Sequence, residues 1–413
     1  MQVFSKEFLM AVKSAGGIAQ IACTFAATWV LLANGDLYGC GINDYGQQGS
    51  GDTTNVTTFT KRASNVKQVA CSRFTTWYID NSGDLYGCGR SNYGQLGNGS
   101  TSNVTTFVKR AANIAQIACS DNTSWYIDIL GNLYGCGYNS NGQQGNGTSS
   151  YSEYVTTFTQ RASNVAQVSC FNTTTWYIDT SGNLYGCGQG VYGQQGSGST
   201  SDVTTFTQRA SNAANVACVS GVTWYIDTSG NLYGCGTGNS GQQGSGSTSN
   251  VTTFTQRASN VSKVACASNT TWYINTSGDL YGCGYNSNGQ QGSGTSGSGT
   301  NVTTFTKRAE NANQVVCTQY ITFYVDSSGD LYGCGSGSDG AQGSGGTSNV
   351  TTFTKRASNV SFAETNSTST AATMWYVTTS GEIYGCGYGV AGQQGNGSTS
   401  DVLTFENKMQ YLT

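Results

Sequence analysis

The sequence predicts an all-β fold, a β-propeller of eight four-stranded blades, and three observations carry that reading. The tetrapeptide YGCG recurs with its cysteine at Cys40, Cys88, Cys136, Cys187, Cys235, Cys283, Cys334 and Cys386, at intervals of 48, 48, 51, 48, 48, 51 and 52 residues. Each unit holds four short runs of β-branched, aromatic and apolar residues, VTTF, VxxVAC, TWYI and LYGC, bounded by Gly, Ser, Asn and Asp. No helical period competes, and four strands per unit of about 50 residues is the pattern of propeller blades, which number roughly 4 to 8 in a ring.

Residues 1–16 form an N-terminal extension in which Val3, Phe4, Phe8, Leu9 and Val12 suit a short amphipathic helix or an irregular edge strand, the helix being preferred. Residues 17–413 read as one propeller domain. The first unit enters directly at Ile18 to Cys23. Each later unit runs VTTFTKRASN, VxxVAC, TWYIDTSGNLYGCG, four variable residues and GQQGSGST. The SGN or SGD between TWYID and LYGCG is hairpin chemistry, because Gly, Asn and Asp tolerate positive φ. The chain ends after an eighth VTTF-like segment, Val402 to Phe405. That terminal strand is expected to complete the first blade and clasp the ring shut.

The chain has 413 residues, with 58 Gly, 25 Tyr and 15 Cys, no Pro and no His, and only 9% charged residues. Without His, the Ser/His/Asp triad, the histidine base and the imidazole metal ligand are all excluded. No residue set supports catalysis, so neither an enzyme nor a cofactor is expected. The 18 basic and 21 acidic residues are scattered, which leaves no stripe to track a phosphate backbone and argues against nucleic-acid binding. No apolar run suits a signal peptide or a membrane span, so neither classical secretion nor membrane insertion is expected.

Seven cysteines in VAC, at Cys23, Cys71, Cys119, Cys170, Cys218, Cys266 and Cys317, each precede a YGCG cysteine by 17 residues. The two registers lie on strands separated by TWYID, roughly 9 to 10 Å apart, beyond the reach of a disulfide. Free buried thiols are expected, which favours folding in a reducing, cytoplasmic compartment and leaves later incorporation into a virion or surface assembly open.

Four other recurrences are read as structural. Trp29, Trp77, Trp125, Trp176, Trp224, Trp272 and Trp375, with Phe323 in the remaining unit, are interblade core rather than a sugar platform. Arg62, Arg110, Arg161, Arg209, Arg257, Arg308 and Arg356, with Lys408 in the eighth place, make a repeated contact, with Asp80, Asp128, Asp179, Asp227 and Asp326 as candidate partners. The Asn-Val-Thr triplets at Asn55, Asn103, Asn250, Asn301 and Asn349 are by-products of a repeated strand entry, and the GxG elements lack the Lys and helix of a phosphate loop.

Variation concentrates in two places: the four residues after each YGCG, and the loop after each VAC. The eighth unit is longer by four residues and places Glu364 where the others have Cys. Strand alternation puts both loops on one face, opposite a featureless face of SG[DN] turns. The variable face is rich in Tyr, Asn, Ser, Phe and Arg, a paratope-like composition. Its candidate binding residues are Phe25, Tyr45, Arg73, Phe74, Arg90, Tyr93, Tyr138, Phe171, Tyr192, Tyr285, Tyr320 and Tyr388.

The motifs VxxVAC, WYID, SGDLYGCG and GQQG resemble the repeat of the regulator of chromosome condensation family, and Gly94, Gln95, Leu96 and Gly97 reproduce its Gly-Gln-Leu-Gly element literally. The resemblance implies a β-propeller. Family members usually have seven blades, a His after the Cys-bearing strand and a Pro in the outer segment, whereas this chain has eight copies and neither residue type. The leading expectation is a non-catalytic interaction module that recognises a protein or glycan through the variable face. The resemblance implies an alternative, an exchange factor or scaffold for a small GTPase. A structural subunit of a larger viral or cell-surface assembly is the third reading.

Overall fold

The computed structural model describes residues 17–366 and 371–412; the extension 1–16, with Val3, Phe4, Phe8, Leu9 and Val12, lies outside them. In blade one, β1 (Ile18–Cys23), β2 (Ala27–Leu32), β3 (Leu37–Gly41) and β4 (Val56–Ala63) pair antiparallel in that order. Seven further four-stranded sheets repeat the arrangement, each from one contiguous unit, and close an eight-bladed propeller. The β1-type strands of neighbouring blades contact one another, and the residues that follow six of them converge on one cavity, so they lie nearest the axis. The β4-type strands, three of whose eight residues are exposed in Val56–Ala63 and in Val203–Ala210, form the rim.

The expected clasp is not formed. Val402–Asn407 pairs with Ile383–Gly387 in blade eight, because every VTTF strand belongs with the LYGCG before it, as Gly41↔Val56 and Tyr38↔Lys61 show. Eight contiguous units therefore fill eight blades, and none of the described strands is left over. The seam uses the contacts of every other interface. Cys40 Sγ donates to Gln393 O, Phe59 meets Trp375 edge-on at 6.0 Å, and Thr58 bridges Asn396. Between blades one and two the same places hold Cys88 Sγ to Gln47 O, Trp29 against Phe107 at 6.0 Å, and Ser50 bridging Thr106.

Burial follows from these interfaces. All seven tryptophans and Phe323 are fully buried. Each fits over the first Gly of a YGCG; at Gly87 a Cβ would lie 2.4 Å from the Trp77 ring. Cys71 and Cys88 both pair with Thr76, one on either side, so the strand between them keeps the thiols apart, and all fifteen cysteines are free.

The arginine ring is half-buried, but its expected aspartate partners are engaged elsewhere. Asp80 Oδ1 accepts the backbone N–H of Ser82 and Asp84, closing its own turn, and Asp128 and Asp179 do likewise. Burial depresses the pKa of each arginine, and at Arg62 the Asp52 carboxylate opposes that shift. The rim cations that do pair are lysines, such as Lys61 with Asp36 at 2.8 Å. At the seam Lys408 replaces the arginine; its side chain is fully buried and meets Glu406 at 2.7 Å.

Candidate functional site

The two variable loops of a blade are joined by a backbone bond: Arg90 N–H donates to Phe74 O at 2.9 Å, and Ile42, Tyr138, Gln189, Thr237, Tyr285, Ser336 and Tyr388 repeat it. They do share one face. Gly89 makes the junction accessible, since at φ +109° a Cβ there would stand 2.2 Å from Phe74 O.

The GQQG glutamines, whose role the sequence left open, are buried and hold these loops in place. Gln47 Oε1 accepts the Tyr45 N–H at 2.9 Å while its Nε2 donates to Arg73 O of the next blade at 3.4 Å. Gln95 links Tyr93 to Asp121 in the same way. The second glutamine stays within its blade, Gln48 Nε2 donating to Cys40 O at 2.9 Å. The Asn-Val-Thr asparagines are also structural: Asn55 Oδ1 accepts the Asn43 N–H, and Asp202 and Asp401 do the same for Gly190 and Gly389.

On this frame eight of the twelve candidate residues form one continuous run. Tyr388 lies 6.0 Å from Phe25, and Arg73 stacks at 5.1 Å from both Phe25 and Phe74. Phe74 meets Tyr45 edge-on at 5.3 Å. Arg90 sits 4.6 Å from Phe74, 5.4 Å from Tyr45 and 5.1 Å from Tyr93, and Tyr93 lies 4.7 Å from Tyr138. The run crosses blades eight, one, two and three. Phe171 joins it through a cavity of about 340 Å³ near the axis, which Phe25 and Arg73 also line.

The remaining candidates stand apart. Tyr285 and Tyr320 pair with each other at 6.4 Å, and Tyr192 covers Gly221. Two contributors escaped the sequence reading. Tyr154, at the start of the outer strand of blade three, packs 5.4 Å from Tyr93 and 6.0 Å from Tyr138. Asp121 lines the cavity and accepts the Arg73 N–H at 3.1 Å. Burial raises its carboxyl pKa, and that bond and the Arg73 charge oppose the rise. The longer third unit was the signal for Tyr154; nothing marked Asp121.

Register corrects one position. Glu364 pairs with Trp375 as Ala70 pairs with Trp77, so Glu364 stands in the alanine place and Thr365 in that of the cysteine. Among the described residues no group of three or more His, Cys, Asp or Glu is placed to hold a metal ion, and no helix is long and apolar enough to cross a membrane.

Comparison with known proteins bears on the repeat itself. Two sequence signatures, both described as Regulator of chromosome condensation (RCC1) repeat, match residues 82–127 and, for the second, 18–47 and 66–95. Residues 18–47 and 66–127 carry RCC1 repeats. No curated protein matches it. Among solved structures, human WBSCR16 is similar at 16% identity and a TM-score of 0.63, covering 81% of this chain and 96% of its own. Prp20p from Saccharomyces cerevisiae, with binding properties to Gsp1p and histones, is similar at 17% identity and a TM-score of 0.63, covering 81% and 90%. Yeast RCC1 (Prp20) bound to Kap60 is similar at 18% identity and a TM-score of 0.60, covering 78% and 83%. These likenesses concern the propeller; the aromatic and arginine run of this RCC1-repeat chain lies in the loops its units do not share.

Proposed function

We propose that this propeller is a non-catalytic interaction module that binds a protein partner through the loop face of blades eight, one, two and three. The observation that carries the reading is the uninterrupted run from Tyr388 to Tyr138, in which two arginines are interleaved with aromatic rings. Aromatic and Arg side chains on a rigid frame supply large contact area at low entropic cost, and they dominate binding hot spots. The similar propellers support a protein rather than a glycan as partner, Prp20p having Gsp1p and histones and yeast RCC1 having Kap60. An exchange-factor or scaffold role towards a small GTPase is the narrower form of this reading.

The test compares capture of partners by the natural protein, by a variant carrying Arg73→Ser, Phe74→Thr, Arg90→Thr and Tyr93→Ser, and by a Tyr285→Thr, Tyr320→Asn control. A partner held by the natural protein and the control, with affinity at least tenfold lower for the first variant, supports the proposal. Equal affinity for all three overturns it.

A further inference from the structure

The SG[DN] face is not uniform. Where sister turns read Asp80-Asn81-Ser82-Gly83 or Asp179-Thr180-Ser181-Gly182, blade three reads Asp128-Ile129-Leu130-Gly131. The backbone is unchanged, since Asp128 Oδ1 accepts the N–H groups of Leu130 and Asn132 as Asp179 Oδ1 accepts those of Ser181 and Asn183. Ile129 and Leu130 are nevertheless 66% and 78% exposed, among the most exposed large apolar side chains in the described residues. Nothing in the turn requires them. Beside them opens a cavity of about 460 Å³ whose walls mix the apolar Ala115, Ile127, Val165 and Ala166 with the glutamines Gln68, Gln116 and Gln167, and which Lys67 and Asp128 also line.

We infer that this face is an interface between two copies of the chain, related by a two-fold axis beside Ile129 that seats each Leu130 in the other's cavity. An apolar knob adjacent to a hole with an apolar wall on the same face is self-complementary, which is the requirement of an isologous dimer. The charges agree. Its lining holds one cation, Lys67, which makes no ion pair among the described residues, and one anion, Asp128, so the patch is neutral and each sign can meet its opposite when the face is turned onto itself. A partner of one charge sign would leave one of the two rim groups opposed. The surface is separate from the loop face, so its fate does not depend on the proposed function.

The test is light scattering and sedimentation of the full chain over a range of concentrations, beside an Ile129→Thr, Leu130→Ser variant that restores the residues of blades four and five. The variant keeps the natural circular-dichroism spectrum and a cooperative unfolding transition, which separates a lost interface from a lost fold. A natural dimer whose dissociation constant rises at least tenfold in the variant supports the inference. Lys67→Glu, which sets two acids against each other across the axis, weakens the dimer in the same direction and more strongly at low salt. A natural protein that is monomeric at all concentrations, or a dimer that neither change weakens, overturns it.

Discussion

Arg90 holds its guanidinium carbon 4.6 Å from the centroid of the Phe74 ring, across the two variable loops of blade two. Its Nε is buried without a hydrogen-bond partner, so stacking is what fixes the group. Such contacts contribute about 0.5 to 2 kcal/mol. A double-mutant cycle with Arg90→Ala and Phe74→Ala, read by denaturant unfolding, is expected to show a coupling of about 1 kcal/mol. Strict additivity would show that the loops are not locked together.

The indole of Trp125 fills the interface with blade four, 5.9 Å from Phe206. Trp125→Ala is expected to cost roughly 3 to 5 kcal/mol of stability. Trp125→Phe should cost clearly less, because Phe323 already fills the same place in blade seven without exposure. Equal losses would mean that the indole is held by something other than packing.

Gln144 donates to Cys136 O at 2.9 Å, but its Oε1 is buried without a partner. Blade two has Leu96 at this position, fully buried. Gln144→Leu is therefore expected to change stability by less than about 1.5 kcal/mol, whereas Gln144→Ala, which leaves a void, should cost about 2 to 5 kcal/mol. Thermal unfolding of the two variants distinguishes the cases.

Burial pushes the Glu364 carboxyl up to about 8, from an ordinary value of 4.5. The folded chain thus holds a proton that the unfolded chain releases between those values. The resulting stability is complete below about pH 4.5 and is lost as pH rises through 8. Glu364→Ala, the residue of most sister strands, should abolish that loss and leave the variant more stable than the natural protein at pH 8. Parallel pH profiles of the two proteins would contradict the assignment.

Burial raises the thiol pKa values in both registers, to about 12 at Cys71 and about 11 at Cys218 of the VAC set and further still at Cys88 and Cys235 of the YGCG set. Because the thiolate is the nucleophile, iodoacetamide at pH 8 should label the folded protein slowly and all fifteen cysteines rapidly after unfolding, as mass spectrometry would record. Fast labelling of the folded protein at Cys88 or Cys235 would show that the interfaces open.

The strands were legible because β-branched runs and Gly, Asn and Asp turns agree at every level. The phase was not. VTTFTKRA is joined to the next VxxVAC by two residues, Ser64 and Asn65 in the first case, a link short enough to pass for a hairpin. Asn65, at φ +63°, instead carries the chain from the rim of one blade to the axis of the next. VTTF was therefore assigned to the wrong blade. Glu364 was displaced by one position because an inserted loop breaks the count that fixes register. The loop-face aromatics were visible as departures from the repeat, whereas the gathering of eight into one run depends on which blades touch. Ile129 and Leu130 were hidden by attention to the glycine that follows them.

That each blade is one contiguous repeat reaches beyond the folded state. A strand shared between the two ends would make one blade a composite of both termini. Here an unequal exchange between two near-identical gene segments removes or adds a whole blade together with its Cys, Gln and Trp contacts. The ring can then close again through the same contacts at a new circumference. Blade number in a chain built this way is thus a quantity on which recombination can act in single steps, and a change in it would redraw the loop face by inserting or deleting one pair of loops at a time.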